Sequence, residues 1–213
     1  MPRRSYDHYC AIARALDVVG ERWTLLIVRE LLGGPRRYSG LLADLPGIST
    51  DVLAARLREM ERDGLLARRP ATPRASAFVY ELTAGGRALA PVLETLAAWG
   101  APRLDDRCPT DAQRPHWLAL PLARHLREAA GRGRLAATVE IRLDDGTFHV
   151  RFDADGADGP GGVAGYGDGP AERPDAVLTA DHDTAAAVAT GRLGLAEALH
   201  TGRATLTGTT AVP

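Results

Sequence analysis

The sequence predicts an α+β protein built from two domains. Three observations predict it: helical apolar periodicity dominates residues 10–62, two short alternating runs follow at 65–70 and 77–82, and residues 116–213 hold a second set of alternating runs and short helical segments. The 213 residues are long for one core and comfortable for two of about 100 residues each.

Cys10 to Gly20 carries Ile12, Leu16 and Val19 at i, i+4 and i+7 and stops at Gly20, which predicts a first helix. Trp23 to Leu32 places Trp23, Leu26, Ile27, Leu31 and Leu32 on a broad apolar face, ended by Gly33, Gly34 and Pro35. Tyr38 to Leu65, YSGLLADLPGISTDVLAARLREMERDGL, then sets the organisation of the first domain. It holds a short apolar-periodic segment, a Pro46-Gly47 break, a helix capped by Ser49 or Thr50, and an Asp63-Gly64 stop. Leu53, Leu57 and Met60 require one face of that helix to be buried, which leaves Asp51, Ala55, Arg58 and Arg62 on the other. Leu65–Pro70 and Ala77–Leu82 read as strands joined by ATPRAS, with Pro73 and Arg74 at an exposed tip. Helix, turn, helix and basic hairpin make a winged helix-turn-helix.

In that arrangement small and hydrogen-bonding side chains on the free face of the second helix meet base edges, and arginines meet phosphate. The candidates are Ser49, Thr50, Asp51, Ala55, Arg56, Arg58 and Arg62 on this helix, Arg36, Arg37 and Tyr38 just before it, and Arg68, Arg69 and Arg74 on the wing. A solvated turn is the alternative for the Arg36-Arg37 pair. The charge distribution agrees with a nucleic-acid partner for the first half only. Residues 1–104 have 15 arginines against 11 acids, net +4, and residues 105–213 have 11 against 16, net −5. Neither value is extreme, so affinity for DNA should be moderate and strongly salt-dependent.

After the wing, Thr83 caps a predicted helix over 84–99, in which Leu89, Val92, Leu93, Leu96 and Trp99 form an apolar stripe. The simplest partner for that stripe is the same helix of a second chain, giving a homodimer; the alternative is packing on the C-terminal domain. Residues 101–115, with three prolines, read as a linker between a first domain over 1–100 and a second over 116–213.

Several classes are disfavoured. The charged start MPRRSYDHYC and the absence of a continuous apolar span give neither a signal peptide nor a membrane helix, so a cytoplasmic protein is expected. Cys10 and Cys108 are too few for a disulfide framework and lack metal-type spacing with the six histidines. No nucleophile, metal set or cofactor motif is present, so neither an enzyme nor a cofactor is expected.

Residues Cys10 to Arg69 and Val79 to Gly100 are similar to the HxlR-type winged-helix transcriptional regulators. Cys10, Asp17–Trp23, Arg37-Tyr38, Gly47-Ile48-Ser49, Arg56-Leu57, Asp63-Gly64-Leu65 and Tyr80-Glu81-Leu82-Thr83 carry the match. The resemblance implies a homodimeric DNA-binding regulator with Ser49–Arg62 as the reading helix. It also implies an oxidant- or electrophile-sensing role for a cysteine at Cys10, whose neighbour Arg14 stands one turn along to favour a thiolate.

In the second half, HWLALPLARHLREAAG from His116 predicts a helix broken early by Pro121. LAATVEIRL, the turn Asp144 to Gly146 and TFHVRFD predict a hairpin; Ala154 to Pro174 reads as a loop with a short strand at Val163–Tyr166. The tail predicts a strand at Ala176–Thr179, helices at Asp183–Ala189 and Gly194–Leu199, and a last strand at Arg203–Thr207. This order, with Thr-Gly-Arg before the second helix and His-Thr-Gly-Arg after it, resembles the sterol-carrier-type lipid-binding domain. That resemblance implies an apolar cavity walled by Trp117, Leu120, Leu126, Phe148, Val150, Tyr166, Val188, Leu195 and Leu199, with His116 or His149 as polar contacts; plain core is the alternative for each. The two halves together predict a dimeric DNA-binding regulator responding to a small apolar or amphipathic effector. A redox regulator acting through Cys10, and a hydrophobic-metabolite carrier whose winged helix does not bind DNA, are the alternatives.

Overall fold

A computed structural model of the protein describes residues 5–72, 76–104, 108, 110–129, 136–152 and 163–208. The chain packs as two units, divided between Leu89 and Ala90.

The first unit contains α1 (Ala11–Val19), α2 (Thr24–Leu32), the two-residue strand β1 (Arg36–Arg37), α3 (Tyr38–Asp44), α4 (Thr50–Arg62), β2 (Leu66–Pro70), β3 (Phe78–Leu82) and the single turn α5 (Ala84–Arg87). Helix α4 begins where its cap dictates: the Ser49 hydroxyl accepts from the Val52 N–H at 3.3 Å. It ends in a Schellman closure, with Gly64 at φ 73°, its N–H on the Glu61 carbonyl and the Leu65 N–H on the Met60 carbonyl. Leu53, Leu57 and Met60 are buried with Ile27, Val28, Leu31, Leu41 and Leu45, so α2, α3 and α4 share one core. The hairpin β2–β3 places Leu66 opposite Leu82, and β1 adds a third strand on the other edge of β3, giving the order β1-β3-β2. Strand β1 has no alternation to announce it; it exists because Arg36 and Arg37 pair with Tyr80 and Val79.

The expected continuous helix over 84–99 is two helices. Helix α5 ends at Arg87 and α6 (Ala90–Gly100) starts after a two-residue step. Pro91 accounts for the break, because it lacks an N–H and its ring would meet the carbonyl of residue 87 in an unbroken helix.

The second unit adds to α6 a 3-10 turn (Pro115–Leu118), α7 (Ala119–Ala129), β4 (Ala137–Leu143), β5 (Gly146–Phe152), β6 (Val163–Asp168), β7 (Ala176–Ala180), α8 (His182–Ala189), α9 (Leu195–His200) and β8 (Ala204–Gly208). Pro121 does not break the predicted helix: α7 starts at Ala119, which puts Pro121 in the first turn, where no N–H is required. The five strands form one mixed sheet in the order β6-β5-β4-β7-β8, with β4 and β7 parallel and the other neighbours antiparallel. Strand alternation sends Val139, Ile141, Phe148, Val150, Tyr166 and Leu178 to one face, all buried. Helix α7 packs on β5 and β6, α9 packs on β8, and α8 joins the two helices. Asp181 caps α8 by accepting from the Thr184 N–H at 2.6 Å and the Thr184 hydroxyl at 2.9 Å. No helix among the described residues is long and apolar enough to cross a membrane.

Candidate nucleic-acid interface and the C-terminal unit

The outer face of α4 is open along its length. Thr50, Asp51, Val52, Arg58 and Arg62 are exposed and Ala55 is half-buried, while Leu53, Leu57 and Met60 anchor the opposite face. The helix is held at a fixed angle by two contacts at its start. The Tyr38 hydroxyl donates to the Thr50 carbonyl at 2.7 Å, and Gly47, at φ 90°, turns the chain beneath the Trp23 indole. Tyr38 therefore positions the helix from α3. Val52 is not among the residues that the sequence singles out, yet it stands exposed in the first turn of α4; its adjacency to the Ser49 cap is the signal that could have found it.

The candidate arginines separate into two groups. Arg36 is only 12% exposed; its Nε donates to the Glu30 carbonyl at 2.9 Å and its Nη1 pairs with Asp44 at 2.9 Å. Glu30, itself fully buried, also takes Arg29 at 2.7 Å. The guanidinium of Arg36 thus ties α2 to α3 from inside, and the expectation that it grips phosphate is corrected. Arg56 likewise bonds Glu59 and, at 3.4 Å, Glu21, so it braces α4 against the start of α2. Glu59 stands at i+3 to Arg56 on the same helix, a pair that helical spacing does announce, whereas Glu21 and the carboxylates around Arg36 come from elsewhere in the fold.

On the wing, Arg69 pairs with Glu81 across the hairpin at 2.7 Å, and the Arg68 guanidinium lies 3.9 Å from the centre of the Phe78 ring. Both remain exposed at their ends. Arg37, Arg58 and Arg62 are exposed and without an ion pair among the described residues. Arg74 lies outside the described residues. Cys10 is exposed, in extended conformation just before α1, while Arg14 turns to Asp17 at 3.6 Å and to the Ser5 hydroxyl.

In the second unit, Leu120, Leu126, Phe148, Val150, Tyr166, Val188 and Leu195 are buried, and Trp117 and Leu199 are half-buried. They make the core between helices and sheet. His116 is buried against the Tyr166 ring, 6.2 Å between centroids, with its Nδ1 3.4 Å from Asp168. His149 holds the Gly169 carbonyl at 3.1 Å and lies over Gly167, where any Cβ would run into the imidazole. On the same outward face Glu140 is almost fully buried. Burial works to push its carboxyl up, but hydrogen bonds from Arg142 at 2.6 Å and the Ala171 N–H at 2.8 Å, with the charges of Arg142 and His149, carry it below the usual range.

A shallow cleft among the described residues of this unit lies elsewhere. It opens between α6, α7 and the end of α8 and is lined by Glu94, Ala97, Ala98, Leu120, Pro121, Arg124 and Ala189. Of the expected wall residues it includes only Leu120. Burial pushes the Glu94 carboxyl up, against the lowering influence of the Arg127 charge. Helix α6 buries Leu93, while Val92, Leu96 and Trp99, at i, i+4 and i+7, are 47%, 45% and 61% exposed.

Comparison with known proteins places both units. Residues 18–107 match the family described as HxlR-like helix-turn-helix, and residues 122–212 match the SCP-2 sterol transfer family. The HTH-type transcriptional regulator YvaP of Bacillus subtilis (strain 168) is 40% identical over 94 residues, 43% of this chain and 85% of that protein. YodB, an HTH-type transcriptional regulator of the same organism, is 37% identical over 87 residues, 40% of this chain and 76% of that protein. The crystal structure of quinone-bound YodB superposes with a TM-score of 0.38 at 32% identity, covering 45% of this chain and 99% of that one. These relatives are transcriptional regulators, not enzymes. The winged helix-turn-helix of the first unit and the matches over the same residues agree: the chain belongs to the HxlR-like helix-turn-helix family of DNA-binding transcriptional regulators and carries an SCP-2 sterol transfer domain over residues 122–212.

Proposed function

We propose that the protein acts as a homodimer in which the C-terminal unit binds a small apolar or amphipathic effector and, through α6, sets the spacing of the two reading helices. The observation that carries this reading is the double role open to α6: Leu93 faces the C-terminal unit while Val92, Leu96 and Trp99 present an apolar stripe to solvent. Contiguous apolar stripes on a surface mark interfaces, and a two-fold pairing of identical helices is the simplest closed one. In the first unit, Ile12 and Leu16 of α1 are likewise exposed apolar side chains, at 71% and 43%. In functional terms the division is then 1–100 for DNA binding and dimerisation, 101–115 for the linker and 116–213 for the effector.

Arg37, Arg58 and Arg62 supply the phosphate contacts, with Arg68 and Arg69 added from the wing; Ser49, Thr50, Asp51 and Ala55 face base edges. Tyr38, Arg36 and Arg56 hold the helix that does the reading. Control by effector requires that it bind the DNA-competent and DNA-incompetent states with different affinity. Nile red, an uncharged apolar probe, tests the effector reading directly: it should brighten with the full-length protein, and its affinity should change when saturating operator DNA is present. Equal affinity with and without DNA contradicts coupling, and no binding at all contradicts the effector.

The exposure of Cys10 favours a second reading, an electrophile-responsive regulator, in line with the quinone bound by YodB. Cys10→Ser should then abolish any loss of DNA binding caused by a quinone; an unchanged response removes Cys10 from the mechanism.

A further inference from the structure

Among the described residues, which include all of α4, Val52 is the one large apolar side chain that this helix leaves exposed, at 42%. A single exposed valine on a surface is ordinary; this one is distinguished by where it stands and how it is held. It sits in the first turn, next to Leu53, which is fully buried and fixes the rotation of the helix about its axis. Its own N–H donates to the Ser49 hydroxyl at 3.3 Å, and two residues earlier the Thr50 carbonyl accepts from the Tyr38 hydroxyl at 2.7 Å. The backbone at Val52 is therefore pinned before any partner arrives. In a helix a β-branched side chain keeps essentially one χ1 rotamer, so its two methyl groups have a fixed direction as well.

Helical spacing puts Val52, Ala55, Arg56 and Glu59 on one flank of α4, at i, i+3, i+4 and i+7. Arg56 bonds Glu59 on that flank and Glu21 at 3.4 Å, so its charge is balanced within the protein. Asp51, Arg58 and Arg62, at i, i+7 and i+11, are exposed on the adjacent flank. The outer face thus divides lengthwise. One side is charged and suits phosphate and polar base edges; on the other, Val52 and the small Ala55 offer methyl groups and no hydrogen bond. In the major groove one base-edge group answers to that description, the 5-methyl group of thymine. The polar edge groups are donors and acceptors, which an apolar contact would leave unpaired. The first turn of the second helix is also the part that reaches base edges in helix-turn-helix proteins.

We propose that Val52 is a specificity-determining residue of this DNA-binding regulator, its side chain packing against the 5-methyl group of one thymine in the operator while Ala55 leaves room beside it. The assignment rests on the reading of α4 as the helix that enters the major groove, and it names a base that the helix selects. Polar contacts from the charged flank do not tell thymine from uracil, because the two bases carry the same acceptor on this edge. A valine packed on the methyl group does. Replacing that thymine by uracil removes one methyl group from a buried contact and should weaken binding about fourfold, the worth of one such group.

The test is fluorescence anisotropy of the full-length protein on a duplex that it selects from a random-sequence pool, with each thymine replaced in turn by deoxyuridine. At least one position should show the fourfold loss. Val52→Ala should bind the thymine and uracil forms at that position equally, with the affinity that the wild type has for the uracil form. Its salt dependence should equal that of the wild type, because a valine neutralises no phosphate. Its thermal melt should also coincide, because the position is exposed and alanine favours a helix. No loss at any thymine, or a loss that persists in folded Val52→Ala, overturns the methyl contact. In that case the reading of α4 stands as long as Arg58→Ala still flattens the salt dependence. If the protein selects no duplex at all, both fall.

Discussion

Removing the side chain of Arg36 and removing that of Arg58 should fail in different assays. Arg36→Ala strips a partner from Asp44 and from the buried end of α2, and breaking a buried ion pair costs about 3 kcal/mol, read by urea denaturation. Arg58→Ala should leave stability within about 0.5 kcal/mol. It should instead flatten the salt dependence of DNA binding, by about 0.9 in slope for each phosphate that is no longer neutralised. The sequence shows two arginines near a helix-turn-helix and nothing to tell them apart. What separates them is tertiary: Glu30 and Asp44 converge on Arg36 from two helices, whereas no carboxylate among the described residues pairs with Arg58 on the outward side of α4. The two perturbed glutamates should respond to pH with opposite sign. Glu140 is held below its ordinary value of 4.5, so its contribution is present above that pH and is lost as pH falls through its lower folded value. Glu140→Gln should therefore remove stability at neutral pH and flatten the acid side of the profile. Glu94 is raised, so the folded state favours the proton: Glu94→Gln should match the wild type below pH 4.5 and be the more stable protein as pH rises through the folded value.

At the scale of elements, the sequence is most legible where a local rule is complete. Helix α4 has its cap, its buried stripe and its Gly64 stop within 16 residues, Ser49 to Gly64, and all three appear as read. The hairpin β4–β5 is announced by alternation on both sides of Asp144-Asp145-Gly146 and pairs in that register. Strand β1 is silent because two residues have no period, and its existence depends on β3 being already in place. The division of α5 from α6 is written in Pro91 but concealed by the apolar stripe running through it. That stripe then splits by duty. Leu93→Ala should destabilise the second unit by about 2–5 kcal/mol, the cost of a large-to-small change in a core. Leu96→Asp should leave the melting temperature nearly unchanged and convert the proposed homodimer to monomer in analytical ultracentrifugation. A dimer that survives Leu96→Asp would move the interface off α6.

At the scale of the molecule, charge asymmetry and composition announce two units of different partners: a net-positive half around α4 and a net-negative half around a five-stranded sheet. The second unit is the less legible one functionally. Its expected pocket residues are the apolar positions that any α+β core needs, and most of them are buried as core. The cleft forms instead where α6, reached through the first half of the sequence, meets α7 and α8, a convergence with no spacing of its own. Recognition of DNA by α4 is the claim on which the rest depends. The measurement that tests it most directly is fluorescence anisotropy of the full-length protein on a duplex selected by that protein from a random-sequence pool, at two salt concentrations and against scrambled competitor. Selective binding that weakens with salt, with a slope reduced when Arg58 and Arg62 are both replaced by alanine, is the expected result. Binding no tighter than to scrambled DNA, or a slope unmoved by those replacements, would contradict α4 as the reading helix.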